Sequence, residues 1–222
     1  MQDQRIGIYA AEPAFTSKVM FYFGLALLTS AAGTYTGFKY ITQIFMANPA
    51  IIWVLFAVEL ILVFTSRLWS TRKPVNYLLF AAFAFITGVT LVPLLASVIL
   101  EFGGPDLIIK ALVATTFTFT GTAIYGWITQ RNLSGLRGFL WVSLIGMIII
   151  SLIGIFYPWS NTFEMIFSGI GVIVFSAYTM YDFQKLKIFP SDRPMDAALM
   201  LYLDIFNLFI FILRLMSGSR RQ

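Results

Sequence analysis

The chain predicts an all-α integral membrane protein of seven transmembrane helices, with the C-terminal helix 7 central and surrounded by helices 1 to 6. Three observations carry that expectation. Hydrophobic residues make up 59% of the 222 and charged residues only 11%, with a mean hydropathy of +0.85, whereas soluble domains carry roughly 25% charge. Apolar runs of membrane-crossing length recur along the sequence, each closed by charges or by Pro and Gly. The last run holds Asp204, Asn207 and Arg214, polar groups that find partners inside a bundle and none facing lipid.

The runs fall near 18–40, 50–69, 76–100, 107–129, 139–159, 162–184 and 196–216. Their punctuation is Asn48-Pro49, Ser70 to Pro74, Gly103-Gly104-Pro105, Gln130 to Gly138, Pro158 to Asn161 and Lys185 to Pro194. Residues 1–222 therefore read as one transmembrane domain with a short polar N-terminal segment, 1–17. The first run exceeds a signal-peptide core and reads as an uncleaved span. In helix 1, Gly33-x-x-x-Gly37 permits close helix approach, and in helix 3 Gly88 with Pro93 favours a bend. The five tryptophans, Trp53, Trp69, Trp127, Trp141 and Trp159, fall mainly near span ends, as interface anchors do. In the last run Leu, Ile and Phe occur on all sides, as in a helix packed all round.

With the N-terminus inside, Arg5, Lys18, Arg67, Arg72, Lys73, Arg131, Arg137, Lys185, Lys187 and Arg193 share the cytoplasmic side. Lys39, Lys110, Arg214, Arg220 and Arg221 take the other. That ten-to-five bias gives a cytoplasmic N-terminus and an external C-terminus. It also accounts for the net charge of +5 without invoking nucleic acid. The absence of both Cys and His excludes disulfides, Cys/His zinc sites and Ser-His or Cys-His catalysis, and the chain is expected not to be an enzyme.

Two acids interrupt apolar sequence in the C-terminal third: Asp182 in FSAYTMYDFQKL and Asp204 in LMLYLDIFNLFIFILRLM. A carboxylate in hydrocarbon-like surroundings is costly to keep, which makes it a functional candidate. If helix 6 ends near Lys185 and helix 7 begins near Met195 on the same side, the two acids reach comparable depth. Paired carboxylates in a low dielectric resist double ionisation and titrate together, so they can act as a pH sensor or gate. Oxygen-only ligands suit a hard cation such as Ca²⁺, so Asp182 and Asp204 are also the candidate metal ligands. The bland alternative is that each Asp caps or hydrogen-bonds a neighbour, which fits Asp182 near its helix end better than Asp204.

Glu59, mid-helix between WVLFAV and LILVF, and Arg214, near the outer end of helix 7, form a candidate ion-pathway or gating pair. Such a pair can equally hold two helices in register. Arg67, two turns after Glu59, is a candidate latch that leans toward Asp182, or an arginine that snorkels to headgroups.

At these residues the chain resembles the Bax inhibitor-1 family of multi-pass membrane proteins. GVIVFSAYTMYDFQKLK and LMLYLDIFNLFIFILR are similar to that family's last two helices, and FAFITGVTLVPLL to its third. The resemblance implies a central seventh helix and a pH-sensitive calcium leak controlled by a di-aspartyl sensor. It maps the sensor to Asp182 and Asp204, the mid-helix acid to Glu59 and the helix 7 cation to Arg214. Some bacterial relatives have an arginine latch at the end of helix 2; alignment through RKPVNY puts Ser70 there, with Arg67 one turn earlier and Arg72 two residues later. A family branch that restrains a membrane protease lacks the two acids.

The expected function is thus a pH-sensitive Ca²⁺ leak in a bacterial plasma membrane, with Ca²⁺ as transported ion and no tightly bound cofactor. Its expected partners are membrane lipid, Ca²⁺ and protons, with no nucleic acid and room for a membrane-protein partner; a monomer is compatible with the sequence, which leaves the oligomeric state open. The alternative is a non-transporting regulator that binds a membrane protease or a cell-death or stress partner. A photoreceptor is discarded because helix 7 has no Schiff-base Lys.

Overall fold

The computed structural model describes residues 13–48 and 50–221. Arg5, most of the polar segment 1–17, and Pro49 of the predicted Asn48-Pro49 break lie outside that range. All regular structure among the described residues is helical: α1 (Pro13–Thr36), α2 (Thr42–Ala47), α3 (Ala50–Phe64), α4 (Ser66–Trp69), α5 (Val75–Phe102), α6 (Asp106–Ile128), α7 (Leu136–Phe156), α8 (Asn161–Leu186) and α9 (Pro194–Arg220). A π-helical turn, Gly37–Ile41, joins α1 to α2.

Six of these segments are long and apolar enough to cross a membrane: Pro13–Ile41, Val75–Phe102, Asp106–Ile128, Leu133–Gly154, Asn161–Leu186 and Pro194–Arg220. The second predicted span, 50–69, differs. It is an apolar helix of 15 residues, α3, followed after Thr65 by the single turn α4. At 1.5 Å per residue α3 reaches about 22 Å, short of a hydrocarbon core of about 30 Å. The Thr65 hydroxyl turns back on the Ile61 carbonyl at 2.6 Å, a local bond that competes with the regular ladder and bends helices.

The last helix does take the inner position. Its most apolar stretch is half buried within the protein, the largest share of any crossing segment. Its main neighbours are α8, α1, α6 and α5, while α3 packs mainly on α5 and α7 mainly on α8. The expected ring of six around it is therefore a ring of four with two outer helices.

Small residues bring α1 and α5 together. A Cβ on Gly33 would run into the Phe85 carbonyl, and a Cβ on Gly88 into the Ser30 carbonyl. The two backbones touch, and the Thr34 hydroxyl uses that proximity to donate to the Gly88 carbonyl at 3.0 Å. Without a hydrophobic drive in lipid, such close backbone approach is a main source of helix association. The helix α5 runs without interruption through Pro93, so Gly88 serves packing against α1.

Two core clusters share α9. One joins Phe15, Val19, Trp69, Phe80 and Leu186 to Met195–Tyr202; the other joins Leu95, Leu107, Phe167 and Phe175 to Leu208–Leu213. The C-terminal end of α9 is also pinned. Asn161 Nδ2 donates to the Gly218 carbonyl at 3.3 Å. Arg221 donates from Nε and Nη2 to the two Glu101 carboxylate oxygens at 2.5 and 2.6 Å, and its Nη1 lies 3.9 Å from Glu164 Oε2.

Candidate functional site

The α8–α9 hairpin brings the two acids into one neighbourhood. Asp182 lies one turn before the end of α8 and Asp204 ten residues into α9. Both are buried, with 6% and 3% of their surface exposed, Asp204 on the central α9 and Asp182 on α8 packed against it. Asp204 feels the charges of Asp182 and Lys185, and its Oδ2 is buried without a hydrogen-bond partner among the described residues. An unpartnered buried carboxylate oxygen is expensive, the more so beside a second acid. The arrangement can accept a proton or a cation.

The cation at this site is Lys185. Its Nζ lies 4.0 Å from Asp182 Oδ1, an i,i+3 pair on α8, and 3.6 Å from the Met200 sulfur on α9. It also sits over the rings of Tyr181 and Phe189, at 5.7 and 5.6 Å from their centres. Lys185 is thus held in the seam between the helices that carry the acids. Tyr178, one turn before Asp182, lies within electrostatic range of both carboxylates. Its i,i+4 spacing from Asp182 is the sequence signal that identifies it.

The predicted latch is elsewhere. Arg67 is exposed on α4, and among the described residues it makes no ion pair with Asp182. Its helix does belong to this end of the bundle, since Trp69 packs in the same cluster as Leu186 and Met195.

Glu59 and Arg214 are not brought together. The Glu59 carboxylate is buried and accepts from the Thr90 hydroxyl of α5 at 2.6 Å. Arg214 is exposed and within range of Glu164, toward the pinned end of α9. Thr90 is therefore a site residue that sequence reading missed, because 31 residues separate it from Glu59 and no local spacing links them. Glu59 also acts electrostatically on Tyr202 of α9, whose hydroxyl neighbours Ser30 and Thr87. Thr90→Val is expected to lower stability by about 1–2 kcal/mol by orphaning a buried acceptor. Thr90→Val added to Glu59→Gln is expected to cost less than Thr90→Val alone, which thermal melts in detergent will measure.

As a metal centre the acid pair is sparse. Among the described residues no group of three or more Asp, Glu, His or Cys could hold an ion. A resident Ca²⁺ takes 6–8 oxygens, more than the two carboxylates supply.

Comparison with known proteins fits this geometry. The sequence matches the family described as inhibitor of apoptosis-promoting Bax1, over residues 12–222. The chain belongs to the Bax inhibitor-1 family. An uncharacterised protein of Campylobacter jejuni is 31% identical over 92% of this chain and 88% of its own length. The inner membrane protein YbhL of Escherichia coli is 34% identical over 73% of this chain and 71% of its own. Bax inhibitor 1 of Schizosaccharomyces pombe is 30% identical over 73% of this chain and 59% of its own. Membership agrees with the multi-pass helical architecture.

Proposed function

We propose that this Bax inhibitor-1 family protein is a proton-gated leak pathway for Ca²⁺, with the Asp182/Asp204 pair as its sensor. The observation that carries the reading is the buried pair itself, with an unpartnered Asp204 oxygen and Lys185 wedged in the same seam. In this reading a proton shared by the two acids lets α8 and α9 stay closed. Loss of that proton leaves two charges in a low dielectric, and their repulsion is relieved when the helices part, when Lys185 shifts, or when a cation enters. The protein does no chemistry on its substrate. The name of the E. coli relative supports a bacterial plasma membrane.

Purified protein in liposomes is expected to admit Ca²⁺ at a rate that changes with pH. Absence of flux from pure protein at every pH would overturn the reading. It would favour the second one, a regulator that acts by binding another membrane protein, which the name of the yeast relative, Bax inhibitor 1, supports.

We also propose that α3 with α4 makes the seventh crossing, since residues 50–69 together reach about 30 Å if traversed as one rod. The N-terminus is then inside and the C-terminus outside, in keeping with the cation bias. Reporter fusions at the two ends are expected on opposite sides of the membrane. Both ends on one side would leave six crossings, with α3 lying within one leaflet.

A further inference from the structure

A cavity of about 470 Å³ opens on the flank of the bundle between α1, α6 and α8. It is lined by Thr16 and Met20 of α1, Phe119, Ala123 and Trp127 of α6, and Phe183 of α8, together with the outward-facing Thr120, Ile124 and Ile128. Its size is that of a small-molecule site, and its walls are almost wholly hydrocarbon. It lies where α1 begins and α6 ends, at the end of the bundle that holds the acids. A slot of this kind on a membrane-facing flank takes an acyl chain.

The rim says what head such a chain carries. Lys187 Nζ sits 5.7 Å above the centre of the Trp127 ring, and Arg131 follows Ile128 by three residues. Neither pairs with an acid among the described residues. The loop that bears Arg131 is fixed to α8, since Gln184 donates to the Arg131 carbonyl at 2.7 Å and accepts from the Leu133 amide at 2.8 Å. Lys187 at the lip of an apolar slot, beside an interfacial Trp and with Arg131 in the adjoining loop, both without an acid partner among the described residues, matches a phosphate head above a buried chain. We infer that this α1/α6/α8 groove is a binding site for one anionic phospholipid, with its chain against Phe119 and Phe183 and its phosphate between Lys187 and Arg131.

The groove touches the proposed sensor through its floor. Phe183 follows Asp182 directly, so the two project about 100° apart on α8, one into the slot and the other into the bundle. Phe183 packs edge-on against Phe119 at 5.7 Å, and Phe119 stacks on Phe23 at 5.6 Å.

The site is testable without any flux. Phosphatidylglycerol and phosphatidylcholine, each with brominated chains, are to be titrated into vesicles containing the protein. Quenching assigned to Trp127 is obtained by difference from Trp127→Phe. Phosphatidylglycerol is expected to quench about fivefold more effectively, as one lysine near a phosphate supplies. Lys187→Gln is expected to remove most of that preference, and Thr120→Phe, which fills the slot from its open side, to abolish the quenching. Equal quenching by the two lipids means ordinary bulk contact and overturns the inference. So does quenching that survives Thr120→Phe, or none by either lipid, the result if protein occupies the slot. Should Thr120→Phe fail to fold, Lys187→Gln at the half-exposed rim still decides the matter.

Discussion

Asp204→Asn is expected to flatten the pH dependence of Ca²⁺ entry while leaving the protein folded and more heat-stable than the parent. Both halves follow from the surroundings of this side chain. The residue is 3% exposed and its Oδ2 has no hydrogen-bond donor among the described residues, so the charged form is held at a cost that an amide of nearly the same shape avoids. One titrating proton can change an equilibrium by at most about tenfold per pH unit. Removing this ionisable group is expected to reduce that slope, with Asp182 beside Lys185 left as the second titrating acid. Asp182→Asn is expected to act in the same direction with a residual slope, because Asp204 remains buried beside Lys185. Liposome flux against pH, read with thermal melts, checks both. Wild-type profiles from both variants would end the sensor proposal, and a lowered melting temperature for Asp204→Asn would mean that its charge serves structure.

Gly88→Val is expected to cost about 3 kcal/mol or more, the upper end for overpacking, or to prevent folding. The obstacle is the Ser30 backbone carbonyl, which lies within van der Waals contact of any added carbon and cannot rotate aside as a side chain would. Parting α1 from α5 would also break the bond from Thr34 to the Gly88 carbonyl. Gly24 is the control, since an added Cβ there meets nothing within 4 Å. Gly24→Ala is expected to gain roughly 0.5–1 kcal/mol from the lower backbone entropy of the unfolded chain. Melting in detergent distinguishes the two. Equal effects would mean that α1 and α5 are not in close contact.

The crossing segments were legible because lipid demands long apolar runs, and each such run is visible in one dimension. The break at Thr65 was not, because hydropathy averages over a hydroxyl whose effect depends on its bond to the Ile61 carbonyl. The acid pair was legible for a related reason: an Asp among Leu and Phe is costly wherever the chain goes, so Asp182 and Asp204 stand out before any contact is known. Partners were harder. Lys185 lies three residues from Asp182 and could be read as a neighbour, whereas Thr90 reaches Glu59 only through the packing of α5 on α3. Opposite charge suggested Arg214 for Glu59 and Arg67 for Asp182. Complementary charge alone carries no depth, and the fold supplies a hydroxyl to the first acid and a nearer lysine to the second.

The fastening of Arg221 to Glu101 and of Asn161 to Gly218 has a mechanical consequence. A rod held at one end moves as a lever, with displacement growing toward the free end. In α9 the opposite end carries Asp196 and Asp204, packs into the core through Met195–Tyr202, and leads directly from the seven residues between α8 and α9. In the proposed gating, any stroke of the acids has to be taken up by that hydrogen-bonded connector, with the anchored end as fulcrum.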